Sequence, residues 1–83
     1  MRDALKKRRP TPEQAFGRVL REVRESRDLS QEALGFESGY HRTYIGLLER
    51  GSKSPSLRTI FRLSRALKVS PSDLIGRTEK LVF

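Results

Sequence analysis

Apolar residues recur along this chain in short runs at helical spacing, each bracketed by residues that start or stop a helix. Phe16, Val19, Leu20 and Val23 fall at i, i+3, i+4 and i+7, a narrow apolar stripe, with Arg18, Arg21, Glu22 and Glu25 on the opposite face. Thr11-Pro12-Glu13-Gln14 opens that run with a Thr cap, Pro at the first helical position and Gln three after the cap. The helix should fade near Arg27-Asp28. A second run, about Gln31 to Ser38, is capped by Ser30 and anchored by Leu34, with small Gly35 and Ser38 letting a neighbouring backbone come close. Gly35 costs roughly 1 kcal/mol of helicity relative to Ala, which a close crossing explains. Phe36 falls on the exposed side. Gly39 breaks the run by supplying a positive φ.

A third run, Arg42 to Arg50, begins after His41 and stops at Gly51, with Pro55 preventing a restart. Ile45 and Leu48 point inward and Tyr40 plugs the turn, leaving Arg42, Thr43, Gly46 and Leu47 on the outer face. Ser56 caps a fourth helix whose buried side is predicted to be Leu57, Ile60, Phe61, Ser64 and Leu67, with Arg58, Arg62 and Arg65 outside. Pro71-Ser72-Asp73 starts a short fifth helix that carries Leu74 and Ile75 and ends at Gly76. The expected fold is all-α with about five short helices. Residues 1–10 form a flexible basic arm, 11–76 the domain, and 77–83 a tail. The tail's Leu81, Val82 and Phe83 either pack on the body, make a dimer contact or fray.

Helix, tight turn, helix and stop between Leu29 and Pro55 is the layout of a helix-turn-helix. Charge strengthens that reading without deciding it. The 83 residues carry 18 Lys+Arg against 10 Asp+Glu, a formal +8, with sequence pI ≈ 10.9. Such a balance favours a polyanion, because counterions released from phosphates drive binding; an anionic membrane or simple solubility accounts for the charge equally well. Lys6, Lys7, Arg8 and Arg9 either lie on phosphates, enter a minor groove or form a solvated tail. No Cys is present, which removes disulfides and thiolate metal sites. The basic N-terminus is followed by no apolar run, so neither a signal peptide nor a membrane span is expected, and a cytoplasmic, nucleoid-associated location is the default.

Catalysis is the weakest reading. One His, no Cys, no metal-ligand spacing and no Gly-rich loop between strand and helix leave no active-site constellation, and no cofactor, metal or small-molecule ligand is expected. His41, at a helix start, suits capping or phosphate contact. A helix in the major groove presents its N-terminal residues to base edges. Arg42 can bond guanine O6 and N7, Thr43 can bond a base or a phosphate or meet a thymine methyl, and Leu47 offers apolar contact alone. Gly46 leaves space.

These residues together resemble the helix-turn-helix family of Cro and phage repressors, the XRE family. The likeness runs through Arg24, Leu29-Ser30-Gln31, Leu34, Gly39, Arg42-Thr43-Tyr44-Ile45, Leu48-Glu49-Arg50-Gly51, Pro55-Ser56-Leu57, Leu67-Lys68-Val69-Ser70-Pro71 and Leu74. Small stand-alone members with an Arg-Thr-Tyr start to the recognition helix include controller proteins of restriction–modification systems. The resemblance implies that Gln31 binds a phosphate and braces the recognition helix, and that Arg24 pairs with Glu49. It implies that His41, Arg50, Ser52 and Lys53 grip phosphates. Gly35, Phe36, Gly46 and Leu47 depart from the family pattern, which shifts base reading onto Arg42, Thr43 and Tyr44. Such domains bind double-stranded DNA as symmetric dimers with half-sites roughly 34 Å apart. Leu74, Ile75, Leu81 and Phe83 are the candidates for a homodimer contact, unless Leu74 and Ile75 only cap the core. The function expected is a sequence-specific transcriptional regulator, a repressor or autoregulator. Its rivals are an antitoxin or other protein-interaction module on the same scaffold, and a charge-driven nucleoid binder.

Overall fold

Each helix starts where a side chain can take over an orphan backbone N–H. In the computed structural model, which describes residues 9–83, the described residues form five helices and no strand: α1 (Pro12–Ser26), α2 (Gln31–Ser38), α3 (Arg42–Glu49), α4 (Leu57–Leu67) and α5 (Pro71–Val82). Thr11 and Gln14 cap each other reciprocally at α1, Thr11 Oγ1 accepting from Gln14 N and Gln14 Oε1 from Thr11 N, both at 3.0 Å. Ser30, Ser56 and Ser70 cap α2, α4 and α5 through their hydroxyls. Gly39, at φ 84°, ends α2 in the left-handed region.

The core is one cluster at the meeting of all five helices: Phe16, Val19, Leu20 and Val23 from α1, Leu34 from α2, Ile45 and Leu48 from α3, Leu63 and Leu67 from α4, and Leu74 from α5. α1 packs against α3 and α5, α2 against α3 and α4, and α4 against α5. At eight residues each, α2 and α3 are too short to persist as isolated helices, so their shape depends on this packing.

Close approach is enforced by two glycines. A Cβ on Gly35 would stand 2.5 Å from the Tyr40 carbonyl oxygen, so the turn into α3, rather than a helix crossing, is what needs a bare backbone there. Gly17, to which periodicity gives no special place, lies against the end of α3; a Cβ there would overlap the Leu48 and Glu49 carbonyl oxygens.

Two expectations are corrected. The buried side of α4 is Thr59, Leu63, Ser64 and Leu67, whereas Leu57 is 72% and Phe61 56% exposed. The predicted and actual stripes share Ser64 and Leu67, and Ile60 packs half-buried against the core; Thr59 tips the phase, because its buried hydroxyl finds hydrogen-bond partners that a hydropathy pattern cannot register. Second, Gly76 does not end the last helix. α5 continues to Val82 because Leu74, Thr78 and Leu81 form an i, i+4, i+7 stripe against the body, and that burial outweighs the helical cost of one glycine. The expected tail is therefore mostly helix. Met1–Arg8 of the expected arm lie outside the described residues. Arg9 is not free: its Nη1 donates to Val82 O at 3.3 Å and Phe83 O at 3.0 Å, at the helix end that favours a cation.

Candidate nucleic-acid interface

α3 is mounted on the body at its C-terminal end by a buried ion pair. Arg24 of α1 donates to Glu49 through Nε–Oε2 at 2.6 Å and Nη2–Oε1 at 3.0 Å, a two-pronged arrangement of the kind Arg alone can make. Arg24 Nη1 also donates to Leu29 O at 2.8 Å, fixing the loop before α2. Gln31 Nε2 donates to the same Glu49 Oε1 at 3.0 Å. Side chains from α1 and α2 thus converge on one carboxylate of α3. The hydrogen bond to Glu49 raises the Arg24 pKa above its ordinary value, against the opposing effect of burial and with help from the charges of Glu49 and Glu25. Arg24 is therefore charged wherever the protein is folded.

His41 is the N-cap of α3. Its Nδ1 accepts from Thr43 N at 3.0 Å, so the neutral ring carries its proton on Nε2, and that N–H is left for an acceptor in solvent. Just beyond it, Arg42 and Thr43 are exposed at the first turn. Arg42 has one loose anionic neighbour, Glu32 of α2, at 3.8 Å with both side chains largely in water, a pair that contributes little. Leu47, one turn on, is half-buried.

Gly46 does not leave the open notch expected of it. It is buried, and a Cβ there would meet Arg50 Nη1 at 3.3 Å and Gln31 Oε1 at 3.6 Å. The Arg50 side chain leans back along α3, as helical side chains do, and covers the glycine beside Gln31. This brings Gln31 and Arg50 together at one edge of the outer face. Ser52 and Lys53 follow in the exposed loop after Gly51, whose φ is 75°.

Tyr44 differs from its expected role. It is half-buried, and its hydroxyl lies 3.2 Å from Thr59 Oγ1 of α4, so it supports the helix instead of offering a free donor at the reading face. Of the dimer candidates, Leu74 is completely buried and therefore out of reach of any partner. Leu81 packs against the core. Ile75 and Phe83, at 45% and 85% exposed, remain available. Pattern reading also missed Leu57 and Phe61, whose assignment to the buried stripe of α4 hid two large exposed apolar side chains. Ile60 and Ile75 share a groove with Pro55, and Phe61 shares a depression with Val69 and Pro71.

Among the described residues, no group of three or more His, Asp and Glu side chains is placed to hold a metal ion, and no helix is long and apolar enough to cross a membrane.

Proteins similar to this chain include regulators. Residues 20–74 match the helix-turn-helix family. The control protein C.BamHI of Bacillus amyloliquefaciens is 47% identical over 64 residues, covering 76% of this chain and 79% of that protein. The crystal structure of the restriction-modification controller protein C.AhdI from Aeromonas hydrophila superposes with a TM-score of 0.72 at 46% identity, covering 74% of this chain and 92% of that one. The clp gene regulator ClgR from C. glutamicum superposes with a TM-score of 0.85 at 25% identity, over 90% and 96% of the two chains. A cap-built helix-turn-helix with a braced third helix, matched in sequence and in fold, settles the class: this chain belongs to the helix-turn-helix (XRE) family and is a DNA-binding transcriptional regulator.

Proposed function

We propose that the protein reads a specific duplex by laying α3 in the major groove, as a homodimer, and that it acts as the autoregulating controller of a restriction–modification system in the cytoplasm. The observation that carries the reading is the pairing of an exposed Arg42-Thr43 start to α3 with a buried Arg24–Glu49 clamp at its other end. A helix fixed that firmly presents the same groups in the same place each time, which sequence discrimination requires and charge-driven binding does not.

Arg42 and Thr43 meet base edges and Leu47 meets an apolar edge such as a thymine methyl. Gln31, His41, Arg50, Ser52 and Lys53 take phosphates and set the register. One short helix reads few base pairs, so a second copy is needed. Its contact is drawn from Leu57, Phe61 and Ile75, the exposed large apolar side chains of α4 and α5, with Phe83 at the margin. The tie to restriction–modification rests on the similarity to C.BamHI and C.AhdI.

The test is selection of binding sites from a random duplex pool at near-physiological salt and again at higher salt. A two-fold symmetric motif with half-sites roughly 34 Å apart is expected. Enrichment of nothing, with affinity that only falls as salt rises, would leave a charge-driven binder.

A further inference from the structure

The C-terminal end of α3 is clamped by Glu49, and the N-terminal end, which carries the reading groups, needs its own mount. α3 packs its backbone on α1 and α2 and makes no comparable approach to α4. The side-chain hydrogen bonds that join its first turn to α4 meet at one hydroxyl. Thr59 is 3% exposed, and its Oγ1 lies 3.0 Å from Tyr40 Oη, 3.2 Å from Tyr44 Oη and 3.0 Å from Ser56 Oγ. A hydroxyl has one proton to donate and two lone pairs to accept with, so three oxygen partners use its full capacity. Tyr40 belongs to the turn before α3 and Tyr44 to its first turn, immediately after Arg42 and Thr43. Their rings meet at a tilt, 5.0 Å between centroids and 47° between planes. The Arg62 guanidinium sits 5.5 Å from the centre of the Tyr40 ring, holding the pair from the side of α4. Ser56, the remaining partner, is the N-cap of α4 and also accepts from Thr59 N at 3.0 Å.

We infer that Thr59 is a positioning residue for base recognition: it fixes the orientation of the first turn of α3, and with it Arg42 and Thr43, without touching DNA. The inference rests on the sequence-specific reading proposed above. It separates two jobs that the fold gives to different places. Gln31, beside Arg50 at one edge of the outer face, is held by Glu49 and through it by Arg24, so the phosphate grip of that edge does not depend on Thr59. Discrimination between base pairs does, because a guanidinium must meet O6 and N7 together and tolerates little displacement.

The experiment compares wild type, Thr59→Val, Thr59→Ser and Tyr44→Phe on the duplex that wild type enriches and on a scrambled duplex of equal length, at a temperature where circular dichroism shows every variant folded. Thr59→Val keeps the volume and removes the hydroxyl. The ratio of affinities for the enriched over the scrambled duplex is expected to fall by about tenfold or more, the scale of losing one good base contact. Affinity for the scrambled duplex and the salt dependence are expected to stay as in wild type. Thr59→Ser retains the hydroxyl and is expected to retain the ratio. Tyr44→Phe loses one of the three bonds and is expected to lower the ratio by less. A wild-type ratio in Thr59→Val overturns the inference, as does a parallel loss on both duplexes. Should Thr59→Val fail to fold, Tyr44→Phe decides in the same way. Absence of any preference in the wild type would overturn sequence-specific reading itself, and this inference with it.

Discussion

Arg24 and Glu49, 25 residues apart in sequence, face each other across α1 and α3 with 10% and 4% of their side chains exposed. Glu49 sits at the C-terminal end of α3, where the aligned peptide dipoles disfavour an anion. Without Arg24 it would be an uncompensated charge away from water. Arg24→Met is therefore expected to destabilise the fold by about 3–5 kcal/mol in urea denaturation, while Arg24→Met combined with Glu49→Leu recovers most of the loss. Equal damage from the single and double changes would mean that the pair's contribution is packing rather than charge.

The glycines offer a sharper dissection, since two similar substitutions should have opposite signs. At Gly76 nothing lies within 4 Å of a built Cβ, and the residue is in the interior of α5. Gly76→Ala is expected to stabilise by about 0.5–1 kcal/mol, the helical advantage of Ala. Gly17→Ala faces backbone carbonyls of Leu48 and Glu49 that cannot step aside. The cost expected is about 3 kcal/mol, at the upper end of ordinary overpacking. Thermal denaturation of the two variants checks both; a stable Gly17→Ala would show that α1 and α3 can separate without penalty.

The same residues show what a sequence can and cannot disclose. Helix starts were legible at Thr11, Ser30, Ser56 and Pro71, because capping is local chemistry written in adjacent residues. The stripes of α1 and α3 were legible because one phase alone collects their apolar residues. In α4 two phases compete. The choice fell to Thr59, a polar residue made at home in the interior by Tyr40, Tyr44 and Ser56, a relation between distant segments. Gly76 misled for the converse reason: a local breaker was overruled by tertiary burial of its neighbours. At the interface, Arg42 and Thr43 stood where helix geometry put them, while Tyr44 and Gly46 were claimed by partners, Thr59 in one case and Arg50 with Gln31 in the other.

Base readers and phosphate grips should separate in binding assays. Arg42→Ala is expected to cost about 1–3 kcal/mol on the duplex that the wild type selects and little on a scrambled one. Lys53→Ala should weaken both alike and reduce the slope of log affinity against log salt by about one. Fluorescence anisotropy over a salt series measures both quantities. Loss from Arg42→Ala that is equal on the two duplexes would place Arg42 among the phosphate contacts.

The exposed face of α4 and α5 yields the last prediction, which depends on distinguishing an interface residue from a core residue one helix away. Phe61 is over half exposed and Leu74 is fully buried. Phe61→Glu puts a charge on the proposed contact and removes only a half-exposed ring from the monomer, so stability should fall little while association weakens. Leu74→Ala removes buried volume from the core and is expected to cost about 2–5 kcal/mol of folding stability. Sedimentation equilibrium at several concentrations, alongside urea denaturation, tells the two apart. Phe61→Glu should sediment as a monomer at concentrations where wild type is a dimer. If Phe61→Glu and Ile75→Glu both associate like wild type, the contact lies elsewhere, and the margin at Phe83 becomes the face to change next. A monomer that still folds should also bind a half-site as well as wild type does per copy, yet lose the full symmetric site. The two halves are linked by the contact alone, and each short helix by itself spans too few base pairs.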